Sequence, residues 1–147
     1  MRKLFNTLFF VLVVWDVATT GIGTGALIGI TGVGMAIAVV LALATALFSS
    51  LTLYLFTDTM KQAPIPRKAR GVFMPMWMIA VFFGWYTSLI VNAHLIQLDR
   101  YVFDNLNPNI FAFADTISPP QWGIAILLTI LVSGSTMLLP FYFDDGH

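Results

Sequence analysis

LFNTLFFVLVVWDVATTGIGTGALIGITGVGMAIAVVLALATALFSSLTLYLFT, residues 4–57, carries one charged side chain, Asp16. A helix needs roughly 20 apolar residues to cross about 30 Å of hydrocarbon, so this run reads as two membrane spans back to back. Spans are predicted at 4–28 and 35–56. Between them Gly29-Ile30-Thr31-Gly32-Val33-Gly34 forms the turn, where glycine takes positive φ at little steric cost.

The rest of the chain agrees with a bilayer. Of its 147 residues, 59% are hydrophobic and only 10% are charged, against about 25% charged in soluble domains. So much apolar surface cannot be hidden in a single soluble domain. The formal net charge of zero gives no basic field for nucleic acid. Cysteine is absent, which removes disulfides, thiolate catalysis and cysteine-ligated metal together. Met1-Arg2-Lys3 before an apolar run imitates a signal peptide, but no A-x-A-like cleavage site follows. The first run is therefore read as a retained span.

Residues 57–71, TDTMKQAPIPRKARG, make a polar connection holding Lys61, Arg67, Lys68 and Arg70. A third span is predicted at 72–98. In the 99–120 loop, Asn107-Pro108 reads as an N-cap with proline at the first helical position, opening a short interfacial helix. Pro119 and Pro120 lead into a fourth span at 121–141. Lysine and arginine set orientation. With the N-terminus inside, Arg2, Lys3, Lys61, Arg67, Lys68 and Arg70 are cytoplasmic and only Arg100 is outside. The expected fold is thus an all-α integral membrane protein, a four-helix bundle forming one transmembrane domain with both termini cytoplasmic. The positive-inside bias suits a bacterial inner membrane.

Gly21, Gly25 and Gly29 recur every four residues, a small-residue stripe of the kind that lets membrane helices approach closely. It is expected to act as a packing seam, within the hairpin or between protomers. Asp16 lies about 18 Å along its helix at 1.5 Å per residue, near mid-bilayer, where a carboxylate costs about 3 kcal/mol on translocon scales. It should therefore face protein or a wet cavity. Comparable depths fall near Thr45, at Trp85 to Ser88, and at Thr129 to Ser133. A polar layer of Asp16, Thr45, Tyr86 and Thr129 follows from that arithmetic, with Tyr86 or a threonine donating to the carboxylate. Asn92 and His94 lie toward the outer end of the third span, as interfacial hydrogen-bonding groups.

Cofactor chemistry finds little footing. His94 would need a second intramembrane imidazole to hold haem, and the other histidine, His147, lies at the far terminus. Met74, Met76 and Met78 suit Cu(I) by softness, yet alternate helix residues point about 200° apart, so they read as packing residues. Trp15 and Trp85 are too deep for an aromatic belt and are expected between helices. The glycine spacing in GIGTGALIG lacks the preceding strand that a dinucleotide fingerprint requires. No Ser-His-acid set shares one depth. No metal, cofactor or catalytic residue is expected.

Two functions fit this pattern. The leading expectation is a non-catalytic structural or assembly subunit, self-associating as a homo-oligomer or packing on larger membrane partners. Its solvent is the lipid bilayer. The alternative is a small ion or proton channel or transporter using Asp16. The apparent want of a polar stripe along any helix favours the first, since conducting paths are lined by polar groups along their length.

Overall fold

The computed structural model describes residues 2–29, 32–50, 67–97 and 106–144. The elements are α1 (Arg2–Ile28), α2 (Gly32–Ser50), α3 (Arg67–Gln97), the short α4 (Ile110–Phe113), a 3-10 turn (Ala114–Thr116) and α5 (Pro119–Asp144). No strand occurs among the described residues. α1, α2, α3 and α5 are each long and apolar enough to cross a membrane. In hydrocarbon every backbone N–H and C=O must be bonded within its own segment, so long apolar runs become helical whatever their local propensities. α3 accordingly runs through Pro75 without interruption.

The boundaries differ from expectation in instructive ways. α1 stops at Ile28 because Gly29 turns to φ +85°, the left-handed conformation that ends many helices. α2 then starts at Gly32, three residues before the predicted Met35; positions 51–56 of that span lie outside the described residues. α3 begins at Arg67 rather than 72, so Arg67, Lys68 and Arg70 belong to a helix and not to a loop. Arginine, lysine and alanine are good helix formers. α5 includes both Pro119 and Pro120. Ser118 caps it: Gln121 Oε1 accepts from Ser118 N at 2.9 Å and from Ser118 Oγ at 2.8 Å, a variant of the capping box. In the preceding loop the cap is Asn109, not Asn107. Asn109 Oδ1 accepts from Phe111 N, while Asn107 Oδ1 accepts from Asn109 N. Both asparagines can cap, and Asn109 is the one whose acceptor meets a free N–H of the helix.

Each long helix touches the other three. α1 and α2 run antiparallel, Gly21 meeting Ala42 and Gly25 meeting Ala38 and Met35. α3 and α5 also run antiparallel, with Asn92 bonded to Thr129 and Gln97 to Thr116 in the connection between them. Residues 106–118 fold over the end of the pair. Phe113 is buried 4.0 Å from the His94 ring and 6.5 Å from Trp122, among Ile90, Ala93, Ile117 and Ala125. Trp122 Nε1 donates to Ala114 O and Tyr86 Oη donates to Pro108 O.

The bundle is apolar outside and carries many polar side chains inside beside its apolar ones. Phe10, Val40, Leu47, Ile79, Phe82 and Leu127 are among the many exposed large hydrophobics. The buried side chains include Asp16, Asn92 and a series of serines and threonines. This inverts the soluble pattern and suits a lipid solvent.

Candidate functional site

Asp16 sits at the junction of α1, α3 and α5. Its Oδ1 accepts from Ser88 Oγ at 3.1 Å and from Ser133 Oγ at 2.8 Å; its Oδ2 accepts from Thr136 Oγ1 at 2.6 Å. The residue is 7% exposed. An ionised carboxylate is an acceptor only, with about four lone-pair positions, and three hydroxyl hydrogens here point at it. All three donors are neutral.

These hydroxyls belong to a longer set. Ser88 Oγ also lies 2.8 Å from Thr19 Oγ1 and 3.2 Å from Thr20 Oγ1. Thr19 Oγ1 has its own carbonyl acceptors at Trp15 and Asp16, and Thr24 donates back to Thr20 O. Beside them, Trp15 Nε1 donates to Asn92 Oδ1 at 3.1 Å, and Asn92 Nδ2 donates to Thr129 Oγ1 at 3.0 Å. No buried side-chain nitrogen or oxygen among the described residues lacks a partner.

The expectation that no helix carries a polar stripe is therefore wrong. α1 turns 16, 19, 20 and 24 inward, α3 turns 87, 88 and 92, and α5 turns 129, 133 and 136. Serine and threonine are scattered among large apolar residues in sequence. They align only because helix positions three and four apart share a face.

The predicted polar layer is partly replaced. Asp16 keeps its central place. Tyr86 does not reach it, since its hydroxyl is taken by Pro108 O. Thr129 is buried but serves Asn92 and its own Ala125 O. Thr45 is buried on α2 and sets its Cγ2 against Gly84. Asn92, near the end of α3, is fully buried and bridges Trp15 and Thr129. His94 packs on Phe113 with Nδ1 2.9 Å from Ile90 O. Ser88 and Ser133 lay within the anticipated depth ranges without being singled out; Thr136 was missed. Spacing could have suggested it, since Thr129, Ser133 and Thr136 are at i, i+4 and i+7. Trp15 and Trp85 are 41% and 37% exposed, so neither is enclosed between helices. Met74, Met76 and Met78 are exposed and do not converge.

The glycine stripe also changes meaning. Gly21 and Gly25 face α2 at ordinary contact distances, a Cβ on Gly21 meeting Ala42 Cβ at 3.6 Å and one on Gly25 meeting Met35 Sδ at 3.7 Å. Gly29 belongs to the turn and has nothing near it. The tight crossings are elsewhere, at Gly23 and Gly84. A Cβ on Gly23 would lie 2.6 Å from the Thr87 carbonyl oxygen, and one on Gly84 would lie 2.8 Å from Thr45 Cγ2. These glycines draw α1 and α2 against α3, which brings Ser88 to the carboxylate.

The Asn92 bridge gives a direct test. Interhelical hydrogen bonds in membranes average about 0.6 kcal/mol, so Asn92→Leu, which removes two, should lower stability by about 1–2 kcal/mol once its overpacking is included. Thermal unfolding in detergent reads this. Trp15 emission should shift as its indole N–H loses its acceptor.

Among the described residues no group of three or more His, Cys, Asp or Glu side chains could hold a metal ion. The carboxylate ringed by hydroxyls is that of Asp16. No family model, curated protein or solved structure matches this chain.

Proposed function

We propose that this protein binds a proton or a monovalent cation at Asp16 inside the membrane, as the site of a small channel or secondary transporter. The observation that carries the reading is the convergence of Ser88, Ser133 and Thr136 from two other helices on one carboxylate. Magnitudes favour it over interhelical glue. Three hydrogen bonds at about 0.6 kcal/mol each return about 2 kcal/mol. A carboxylate at mid-bilayer costs about 3 kcal/mol. An asparagine or serine would bond the helices without a charge to bury, so an aspartate here points to a use for its charge. The inward stripes add polar lining above and below it. In proteoliposomes the purified protein should support Asp16-dependent movement of protons or a monovalent cation. Flux no faster than in empty vesicles, with the protein correctly folded, would reject the proposal.

A second reading, a non-catalytic assembly subunit, has its own support. From Gly71 to Ile79 α3 is exposed except at half-buried Trp77, and it presents Phe73, Met74, Met76, Met78 and Ile79 outward. Native mass spectrometry of gently extracted protein tests this. A fixed homo-oligomer or stoichiometric foreign subunits would support it, and a monomer would remove it. In either reading the protein resides in a cytoplasmic membrane with the basic 61–70 segment inside, on the lysine and arginine bias. The cysteine-free chain allows a clean test with an impermeant maleimide. In intact cells Gln62→Cys should be protected and Asn107→Cys labelled.

A further inference from the structure

The hydroxyl cage around Asp16 has the donors of a small-cation site, and we infer that it binds Na⁺ in competition with a proton. The inference rests on the reading of Asp16 as an ion-binding residue and names the ion. Five side-chain oxygens converge there: both carboxylate oxygens of Asp16, Ser88 Oγ, Ser133 Oγ and Thr136 Oγ1. Oxygen-only donor sets suit hard cations. One carboxylate neutralises one monovalent ion, whereas a divalent ion would leave an unpaired positive charge in a medium that penalises it heavily. Hydroxyl-to-carboxylate separations of 2.6–3.1 Å make a narrow cage. A cation must push these oxygens apart to enter, and Na⁺, being smaller, requires less outward movement than K⁺.

A hydroxyl that ligates a cation must turn its hydrogen away, and for Thr136 and Ser88 the structure supplies acceptors for this. Thr136 Oγ1 lies 3.3 Å from Val132 O, within reach of its hydrogen. Ser88 can donate to Thr19 Oγ1 at 2.8 Å, and Thr19 in turn to Trp15 O at 2.9 Å. The same rotations free Thr136 Oγ1 to accept from a protonated Asp16, so Na⁺ and H⁺ use one set of groups and exclude each other. The groups facing Asp16 from α3 and α5 are these neutral hydroxyls. α2 brings Thr45 and Ser49 as its buried polar residues. Asp16 is thus the titrating group of the site.

The test is thermal unfolding of the whole protein in detergent, titrated with NaCl, KCl or choline chloride at constant ionic strength and several pH values. A ligand bound only by the folded state raises the midpoint with the logarithm of its concentration. The midpoint should rise with NaCl, less with KCl and not with choline chloride. Where protonation competes, each pH unit downward should weaken apparent Na⁺ affinity by up to about tenfold. Asp16→Asn should abolish the Na⁺ response. Thr136→Val, which keeps the carboxylate, should weaken it. Ser135→Ala should leave it intact, because Ser135 donates to Leu131 O of its own helix. Equal responses to all three salts in the wild type would overturn the inference without need of any variant. If Asp16-dependent proton flux then persists, the broader proposal stands and only the choice of ion falls. If no Asp16-dependent flux of any ion is found, both fall.

Discussion

Asp16→Asn should abolish ion movement while leaving the melting temperature unchanged or slightly raised. The substitution keeps the shape and one acceptor oxygen, and the amide nitrogen replaces Oδ2 opposite Thr136 Oγ1, 2.6 Å away in the native protein. Thr136 has Val132 O as a second acceptor at 3.3 Å, so its hydroxyl can turn and accept from the amide. The lost hydrogen-bond energy, about 2 kcal/mol at most, is offset by removing a charge that costs about 3 kcal/mol at this depth. A purely structural carboxylate would behave the opposite way. Each hydroxyl left without its acceptor then costs about 1–3 kcal/mol, and the variant would fail to accumulate. Flux in proteoliposomes, read beside thermal unfolding, separates the two. A drop in stability of about 3 kcal/mol or more would show that the carboxylate holds the helices together, and flux by the wild-type protein would then decide whether it also binds an ion.

Gly23→Val should be among the most destabilising single changes in the bundle. Its first added carbon would lie 2.6 Å from the Thr87 carbonyl oxygen and 2.8 Å from Thr87 Cβ, and backbone cannot rotate away as a side-chain tip can. Overpacking of this kind costs about 1–3 kcal/mol, occasionally more, and relief requires α1 and α3 to separate. Separation would also pull Ser88 from Asp16, so residual protein should show weakened ion response as well. Gly25→Ala is the contrast, because its Cβ would meet Met35 Sδ and Ala38 Cβ at 3.7 and 3.9 Å, and alanine is the better helix former. It should be neutral or mildly stabilising. Comparing the two melting temperatures checks the claim. Equal destabilisation by both would mean that the α1–α3 crossing is looser than described.

Much of the architecture was legible in the chain, for a simple reason. In a bilayer, length and apolarity decide helix formation, and those are properties of consecutive residues. Four spans, the Gly29 turn and the short helix before Pro119 could be read directly. Boundaries slipped where two plausible signals compete, as between Asn107 and Asn109. Asp16 stood out as well, being the one charge in 54 residues of apolar sequence.

Its partners did not stand out. Ser88, Ser133 and Thr136 are ordinary membrane-helix residues until rotation places them on one carboxylate, and rotation is set by packing, here by Gly23 against Thr87 and Gly84 against Thr45. Depth arithmetic fixes one coordinate of a side chain and leaves its azimuth free, which is why Tyr86 was expected at Asp16 and is bonded instead to Pro108. The sequence alone thus determined that four helices could cross a membrane with one carboxylate between them. Only the tertiary structure decided which hydroxyls surround it, because helix–helix packing depends on close contacts between residues remote in the chain.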